Sequence, residues 1–286
     1  MQQRQALNVS LEPFAPLWYD RCLSVEVVMH AAKRVGCHGF VQRCFCFGKL
    51  SMLYFVLVIP AMLLALGAQW LVRSAYNRSS QIPARMSGAA AARKILDANG
   101  LQHIPIEVTH GYLSDHYDPS TKVVRLSEDV FQGHSMASVG IAAHEVGHAI
   151  QDARNYMPLV IRNVAVPVAG FGSSLSQVFL IAAMGLMFAG QSGLAAGAML
   201  LFVVGFSATV LFQIINLPVE FNASSRAKTE LVSLGIVHGQ ELAGVNQVLT
   251  AAALTYVAGT LQTIATLAYY IFQFLMISGM GSQREE

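Results

Sequence analysis

The sequence predicts a mostly α-helical membrane protein with about four transmembrane helices and one small polar region of mixed α and β structure. Of its 286 residues, 54% are hydrophobic and only 12% are charged, about half the charged fraction of a typical soluble domain. Four apolar stretches are long enough to cross a bilayer, which takes about 20 helical residues. Between the first two stretches lies a polar region with both helix and strand patterns.

The four predicted spans differ in how apolar they are. They cover residues 51–72, about 171–189, about 194–217 and 249–278. Pro60 lies inside the first span as a tolerated kink, whereas the third span contains no charge at all. A tight turn at 191–193 joins the second and third spans, so that residues 166–217 form a transmembrane hairpin. Residues 279–286 are a short tail.

Residues 1–50 form an N-terminal extension unlike the rest of the chain, because no hydrophobic period is sustained there. We expect this extension to be either disordered or not native, with Met52 as the true start of the protein. The extension holds all four cysteines, so the remaining fold does not depend on disulfides. A second metal site is the alternative, but its Cys-x-Cys spacing is tighter than structural zinc sites use; its residues would be Cys37, His38, Cys44 and Cys46.

The polar region, residues 73–165, is predicted to begin with an Arg-dotted helix that ends near Asn99 and Gly100, a common stop signal. β-branched and aromatic residues follow, interrupted by the turn-forming run 118–120, and predict strands joined by a turn. Ser135 is a plausible N-cap for a further helix that continues to about Asn155.

The segment HEVGH, residues 144–148, carries the most specific chemistry in the chain. Residues four positions apart lie on one face of a helix, so His144 and His148 present two imidazoles to one zinc ion. Glu145 lies beside them and is the predicted general base, which takes a proton from a zinc-activated water. This combination predicts a hydrolase, a zinc metallopeptidase whose catalytic region is a small, zincin-like α+β unit.

Two solvated histidines on an ordinary helix are the alternative interpretation of this segment. A chance match is expected on the order of once in a hundred such chains. The neighbouring residues also argue for a packed helix, in which histidines need polar partners. These neighbours are all small or apolar: Ala142, Ala143, Val146, Gly147, Ala149 and Ile150.

A catalytic zinc usually has three protein ligands and one open position. Asp152 lies four positions after His148, on the same helix face, but a local ion pair or cap explains it better. Glu220 follows the third span, and four spans return it to the same membrane face as His144. An ordinary interfacial carboxylate would look the same, so the spacing of residues leaves the third ligand open.

Four segments resemble the YugP-like membrane zinc metallopeptidases, in the same order along the chain: DHYDPSTKVVRLS, MASVGIAAHEVGHAIQDA, LPVEFNASSRAKTELVSLGIV and VLTAAALTYVAG. The resemblance covers about residues 52–278. It implies zinc dependence, a membrane location and a ligand set of two histidines and a glutamate. Glu220 matches the family's glutamate, so that residues 218–248 contain the helix with the third ligand. Asn222 stands where the family has an aspartate, and we expect it to face away from the metal.

The predicted function is that of a membrane-bound zinc endopeptidase, with the lipid bilayer and a protein or peptide substrate as its partners. The net charge of +2 is too small to indicate nucleic acid. A zinc-binding membrane scaffold without catalysis would have the same sequence features. An intramembrane protease is disfavoured, because charged residues closely bound the apolar run around HEVGH. Four side chains are candidate donors for the oxyanion: His110, His116, Tyr117 and Arg226. The sequence does not indicate an oligomeric state.

Basic residues give the predicted orientation in a bacterial-type inner membrane, because cytoplasmic segments carry an excess of Lys and Arg. Four arginines follow the first span and favour a cytoplasmic catalytic region: Arg73, Arg78, Arg85 and Arg93. If the extension is native, its basic residues oppose this orientation equally; they are Lys33, Arg34, Arg43 and Lys49.

Overall fold

The computed structural model describes residues 38–111 and 114–282, with the backbone alone at 38–51 and 280–282. The chain divides into two units after Met52. Only a helical backbone is described in the first unit, and the side chains of the predicted second metal site lie outside the described residues. The following description concerns the second unit, except that helix α1 begins in the first.

Helices account for most of the described chain, and three short strands form one small sheet. In chain order the elements are α1 (His38–Ser79), α2 (Gly88–Ala98), β1 (Ile106–Thr109), β2 (His116–Asp118), β3 (Val123–Ser127), α3 (Glu128–Phe131), α4 (Met136–Ala153), α5 (Met157–Phe188), α6 (Ser192–Ser233) and α7 (Glu241–Ser282). In the described part of the chain, four helices are long and apolar enough to span a membrane: Met52–Ser79 of α1, α5, α6 and Glu241–Gly279 of α7. The predicted fold class is therefore confirmed.

Two predicted boundaries differ from the structure, and a proline is involved in both. The Arg-dotted helix predicted at the start of the polar region is two helices in the structure, the end of α1 and α2. In the break between them, Pro83 forms an isolated bridge with Ser135. Conversely, α6 continues without a break through Pro218, where a boundary between residues 217 and 218 was expected. Glu220 is therefore carried by the extension of the third span and not by a separate helix.

The polar region packs its sheet against α4. The strand order is β1-β3-β2, with β3 parallel to β1 and antiparallel to β2. β3 is central and mostly buried. Ser135 caps α4 as predicted, because its side chain accepts a hydrogen bond from the Ser138 N–H at 3.1 Å. α4 thus packs between the sheet and the long helices.

Backbone contact between α4 and α6 fixes where α6 passes the HEVGH segment. A Cβ atom at Gly147 would lie 2.6 Å from the Ala223 carbonyl oxygen, closer than real Cβ contacts permit. Gly172 of α5 and Gly205 of α6 meet in a similar way farther along the hairpin, with hypothetical Cβ contacts of 3.1 and 3.0 Å. Small residues allow such close helix packing in membrane proteins. Glycine at position 147 is what lets α6 lie directly against the two histidines.

Candidate metal centre

Three side chains from α4 and α6 converge at the point where these helices touch. The Nε2 atom of His144 lies 3.3 Å from Glu220 Oε2, and His148 Nε2 lies 3.7 Å from the same oxygen. One ligand atom from each residue falls within 4.8 Å of the others. His148 and Glu220 are buried, with 8% and 3% of their surface exposed. The structure thus brings together the three residues that the sequence predicted as metal ligands.

The outer nitrogens of both imidazoles have polar partners, which orient the rings. Gln151 Nε2 donates to the Val219 carbonyl oxygen at 2.8 Å, so Gln151 Oε1 faces His148 Nδ1 at 3.0 Å. Since this oxygen only accepts, Nδ1 is the donor in this contact, and Nε2 is the nitrogen that faces the site. His144 Nδ1 pairs with Ser224 Oγ at 3.1 Å. Both Nε2 atoms are thereby directed towards Glu220. Metal-binding histidines are usually oriented in this way, by a hydrogen bond at the ring nitrogen that does not bind the metal.

This donor set fits zinc. Nitrogen and oxygen ligands lie about 2.0–2.1 Å from zinc, so neighbouring ligand atoms of a tetrahedral site are roughly 3.4 Å apart. The two distances to Glu220 Oε2, 3.3 and 3.7 Å, bracket that separation. Two imidazoles and one carboxylate also leave a fourth position open, as in catalytic zinc sites.

Glu145 is buried beside this group, with 8% of its surface exposed. Its Oε2 accepts the backbone N–H of Tyr117 in β2 at 3.0 Å. Burial raises the pKa of Glu145 to about 7; the charge of His144 opposes this rise, and the charges of Glu220 and Asp115 add to it. A carboxylate with a pKa near neutrality is suited to exchange protons.

Residues 54–275 match the sequence profile of a family described as "Putative neutral zinc metallopeptidase". The chain belongs to this family. It is also 44% identical over 226 residues to the "Putative membrane protease YugP" of Bacillus subtilis (strain 168), an alignment that covers 78% of this chain and 97% of that protein. No solved structure matches the chain. The resemblance to the YugP-like family is therefore confirmed, and with it a membrane protein of a zinc metallopeptidase family.

Asp152, the other predicted candidate for the third ligand, is not part of this group. Its Oδ2 accepts the phenol O–H of Tyr117 at 2.7 Å and pairs with Lys122. Tyr117 thereby ties β2 to α4 twice, through its N–H to Glu145 and through its phenol to Asp152. Burial raises the pKa of the Tyr117 phenol, and the hydrogen bond to Asp152 raises it further.

The other three predicted oxyanion donors are also engaged elsewhere or exposed. Arg226 Nε donates to Asn222 Oδ1 at 2.7 Å, and its guanidinium lies 5.9 Å from the centre of the Tyr156 ring. His110 and His116 are exposed. Asn222, the departure from the family pattern, also accepts from Gln151 Nε2 at 3.0 Å, so it belongs to the outer contacts of His148.

Sequence reasoning missed the outer partners Gln151 and Ser224, and also two polar residues near the site, Tyr256 of α7 and Arg162 of α5. Charges of Glu220, Glu145 and Arg162 all act on the Tyr256 hydroxyl. Two signals were available: Arg162 is a charge within an otherwise apolar helix, and Tyr256 lies in the family-like segment VLTAAALTYVAG.

Replacing Gln151 by Leu is expected to weaken zinc binding by about 10- to 100-fold, because outer partners fix the orientation of ligating histidines. The matched variant Gln151→Glu keeps an acceptor for His148 Nδ1 and should retain more affinity than Gln151→Leu. Competition with a zinc chelator of known affinity measures both. Equal affinity of Gln151→Leu and wild type would exclude this role for the amide.

Proposed function

We propose that this protein is a membrane-bound endopeptidase that uses zinc to hydrolyse peptide bonds. The observation that supports this proposal is the convergence of His144, His148 and Glu220 beside a buried carboxylate, Glu145. The family membership supports zinc and peptidase chemistry, and the four apolar helices support the membrane location.

The three ligands hold the metal, and Glu145 moves the proton. When held by His144, His148 and Glu220, a zinc ion would supply Lewis acidity, which lowers the pKa of water towards about 7 and polarises a carbonyl. Glu145 Oε2 is fixed by the Tyr117 N–H, which leaves its other oxygen to take a proton from the attacking water. Glu145 then gives that proton to the departing amine as the C–N bond breaks. Burial of Glu145 favours its protonated form between these two transfers.

The test is hydrolysis of an unstructured protein such as casein by the purified enzyme in detergent. Wild-type protein should cleave casein, a chelator should stop cleavage and added zinc should restore it. A zinc-binding membrane scaffold would bind the metal and leave casein intact. Zinc binding without any cleavage would therefore favour the scaffold over the peptidase.

We further propose that the catalytic region faces the cytoplasm of a bacterial-type inner membrane. The four arginines at the end of the first helix and after it, Arg73, Arg78, Arg85 and Arg93, support this orientation. With four spans, the 190–193 turn and the C-terminus then lie together on the opposite face. Alkaline phosphatase, which is active only outside the cytoplasm, should be active when fused at either position. Inactive fusions at both positions would reverse the orientation, and a difference between them would exclude the four-span arrangement.

A further inference from the structure

Tyr256 lies on the face of α7 that packs against the metal-binding helices. α7 contacts both α4 and α6, and Val245 of α7 lies against Gly140 of α4, 3.2 Å from the position of a Cβ there. Tyr256 follows Val245 by eleven residues, about three helical turns, so both point from the same face. The Tyr256 hydroxyl interacts with the Glu220 carboxylate, and the charge of Glu145 also acts on it. This phenol therefore lies near both Glu220 and Glu145.

Arg162 is the one charged residue of α5, and its charge acts on the same hydroxyl. The Arg162 Nε atom is buried, and no hydrogen-bond partner for it exists among the described residues. Nor does any described carboxylate form an ion pair with Arg162. A cation in an apolar, membrane-spanning helix is costly and usually has a function, and a buried donor without a partner calls for one.

We propose that Tyr256 and Arg162 are the donors that bind the carbonyl oxygen of the scissile peptide bond. This inference rests on the peptidase function proposed above. Water adds to the carbonyl carbon, the C=O π electrons move onto oxygen, and Glu145 receives the proton. The Tyr256 O–H and the Arg162 N–H groups donate hydrogen bonds to the resulting oxyanion and keep their own protons. Donors aimed at charge that develops in the transition state are a major source of catalysis.

The positions of the other candidates support this assignment. Among the four donors considered from sequence, Tyr117 bonds Asp152 and Arg226 bonds Asn222, while His110 and His116 are exposed. Tyr256 and Arg162 have no such competing partner among the described side chains, apart from the contact between Tyr256 and Glu220. A phenol and a guanidinium are both strong donors, and together they complement a single negative oxygen.

The test compares Tyr256→Phe and Arg162→Gln with wild type, with Tyr269→Phe as the matched control. Tyr269 is on the same helix, but its ring packs 5.2 Å from that of Tyr54 on α1. Each site variant should lower kcat/KM for a casein-derived peptide by about 10²–10³-fold, mainly through kcat. Zinc content and zinc affinity should stay at wild-type values. The control should keep wild-type kinetics.

A phosphinic peptide provides a second readout, because its tetrahedral phosphorus oxygen resembles the oxyanion. Its inhibition constant should rise in both site variants by the same factor by which kcat/KM falls, whereas KM changes little. Arg162→Lys, which keeps the charge but not the planar fork of donors, should lose less than Arg162→Gln.

Three outcomes separate this inference from the proposed function. Wild-type kinetics in both Tyr256→Phe and Arg162→Gln would overturn the inference and leave the peptidase function intact. Lower zinc affinity in Tyr256→Phe, with normal kcat at saturating zinc, would also overturn it, because Tyr256 would then be only an outer partner of Glu220. Zinc-loaded wild type that cleaves nothing would instead refute the peptidase function, and the inference with it.

Discussion

Replacing Glu145 by Gln should abolish casein hydrolysis while the protein keeps about one zinc per chain. Glutamine has the same shape as glutamate, and its side-chain oxygen can still accept the Tyr117 N–H that Glu145 accepts at 3.0 Å. It cannot take a proton from water or deliver one to the leaving amine. General acid–base catalysis contributes about 10²–10⁴-fold, so the activity of the variant should fall by at least that factor.

The matched control for this experiment is Glu128→Gln, which changes an exposed carboxylate at the start of α3. It should retain wild-type cleavage and zinc content. If Glu145→Gln cleaves casein as fast as wild type, Glu145 is not the general base. If wild type and Glu145→Gln are both inactive but contain zinc, the zinc-binding scaffold becomes the better explanation.

Removing Glu220 should release the metal. Metal analysis of purified Glu220→Ala is expected to find close to no zinc, against about one zinc per wild-type chain. A catalytic site with two remaining imidazoles lacks its third protein ligand and its only ligand charge. His148→Ala should have the same effect, because it removes one of the two imidazoles.

Glu230→Ala is the matched control, because it removes a carboxylate ten residues later on the same helix, α6. This variant should bind zinc normally. Full zinc content in Glu220→Ala would mean that the third ligand lies elsewhere. Asp152, the other candidate from sequence, would then have to leave its contacts with Tyr117 and Lys122.

Local sequence patterns predicted the parts of this site that lie within single elements. The four-residue spacing of His144 and His148 depends only on the helical period, so both imidazoles emerge from one face of α4. The N-cap at Ser135 depends on a side chain and a backbone N–H three residues apart. The four apolar spans depend on length and composition. Each of these features involves neighbours in sequence, and the structure has all of them.

The prolines illustrate where local reasoning was insufficient. Pro83 lies in the break between two helices and Pro218 lies within one, although the same ring removes one backbone donor in each case. Packing of the surrounding helices outweighs that loss at Pro218, because neighbouring helices in a membrane can compensate for it. Sequence alone gave no measure of that packing.

The sequence by itself predicted HEVGH as a metal-binding turn with Glu145 as its general base, the four spans and, through family resemblance, Glu220 as the third ligand. Only the tertiary structure decided how Glu220 reaches His144, 76 positions away in the sequence, which outer partners orient the imidazoles, and that Tyr256 and Arg162 come near the same centre. The physical reason is that helical periodicity relates residues within a few turns of one another. Convergence of separate helices depends instead on how closely they pack. Here the close packing of α4 and α6 depends on glycine at position 147, which has no Cβ atom to clash with Ala223.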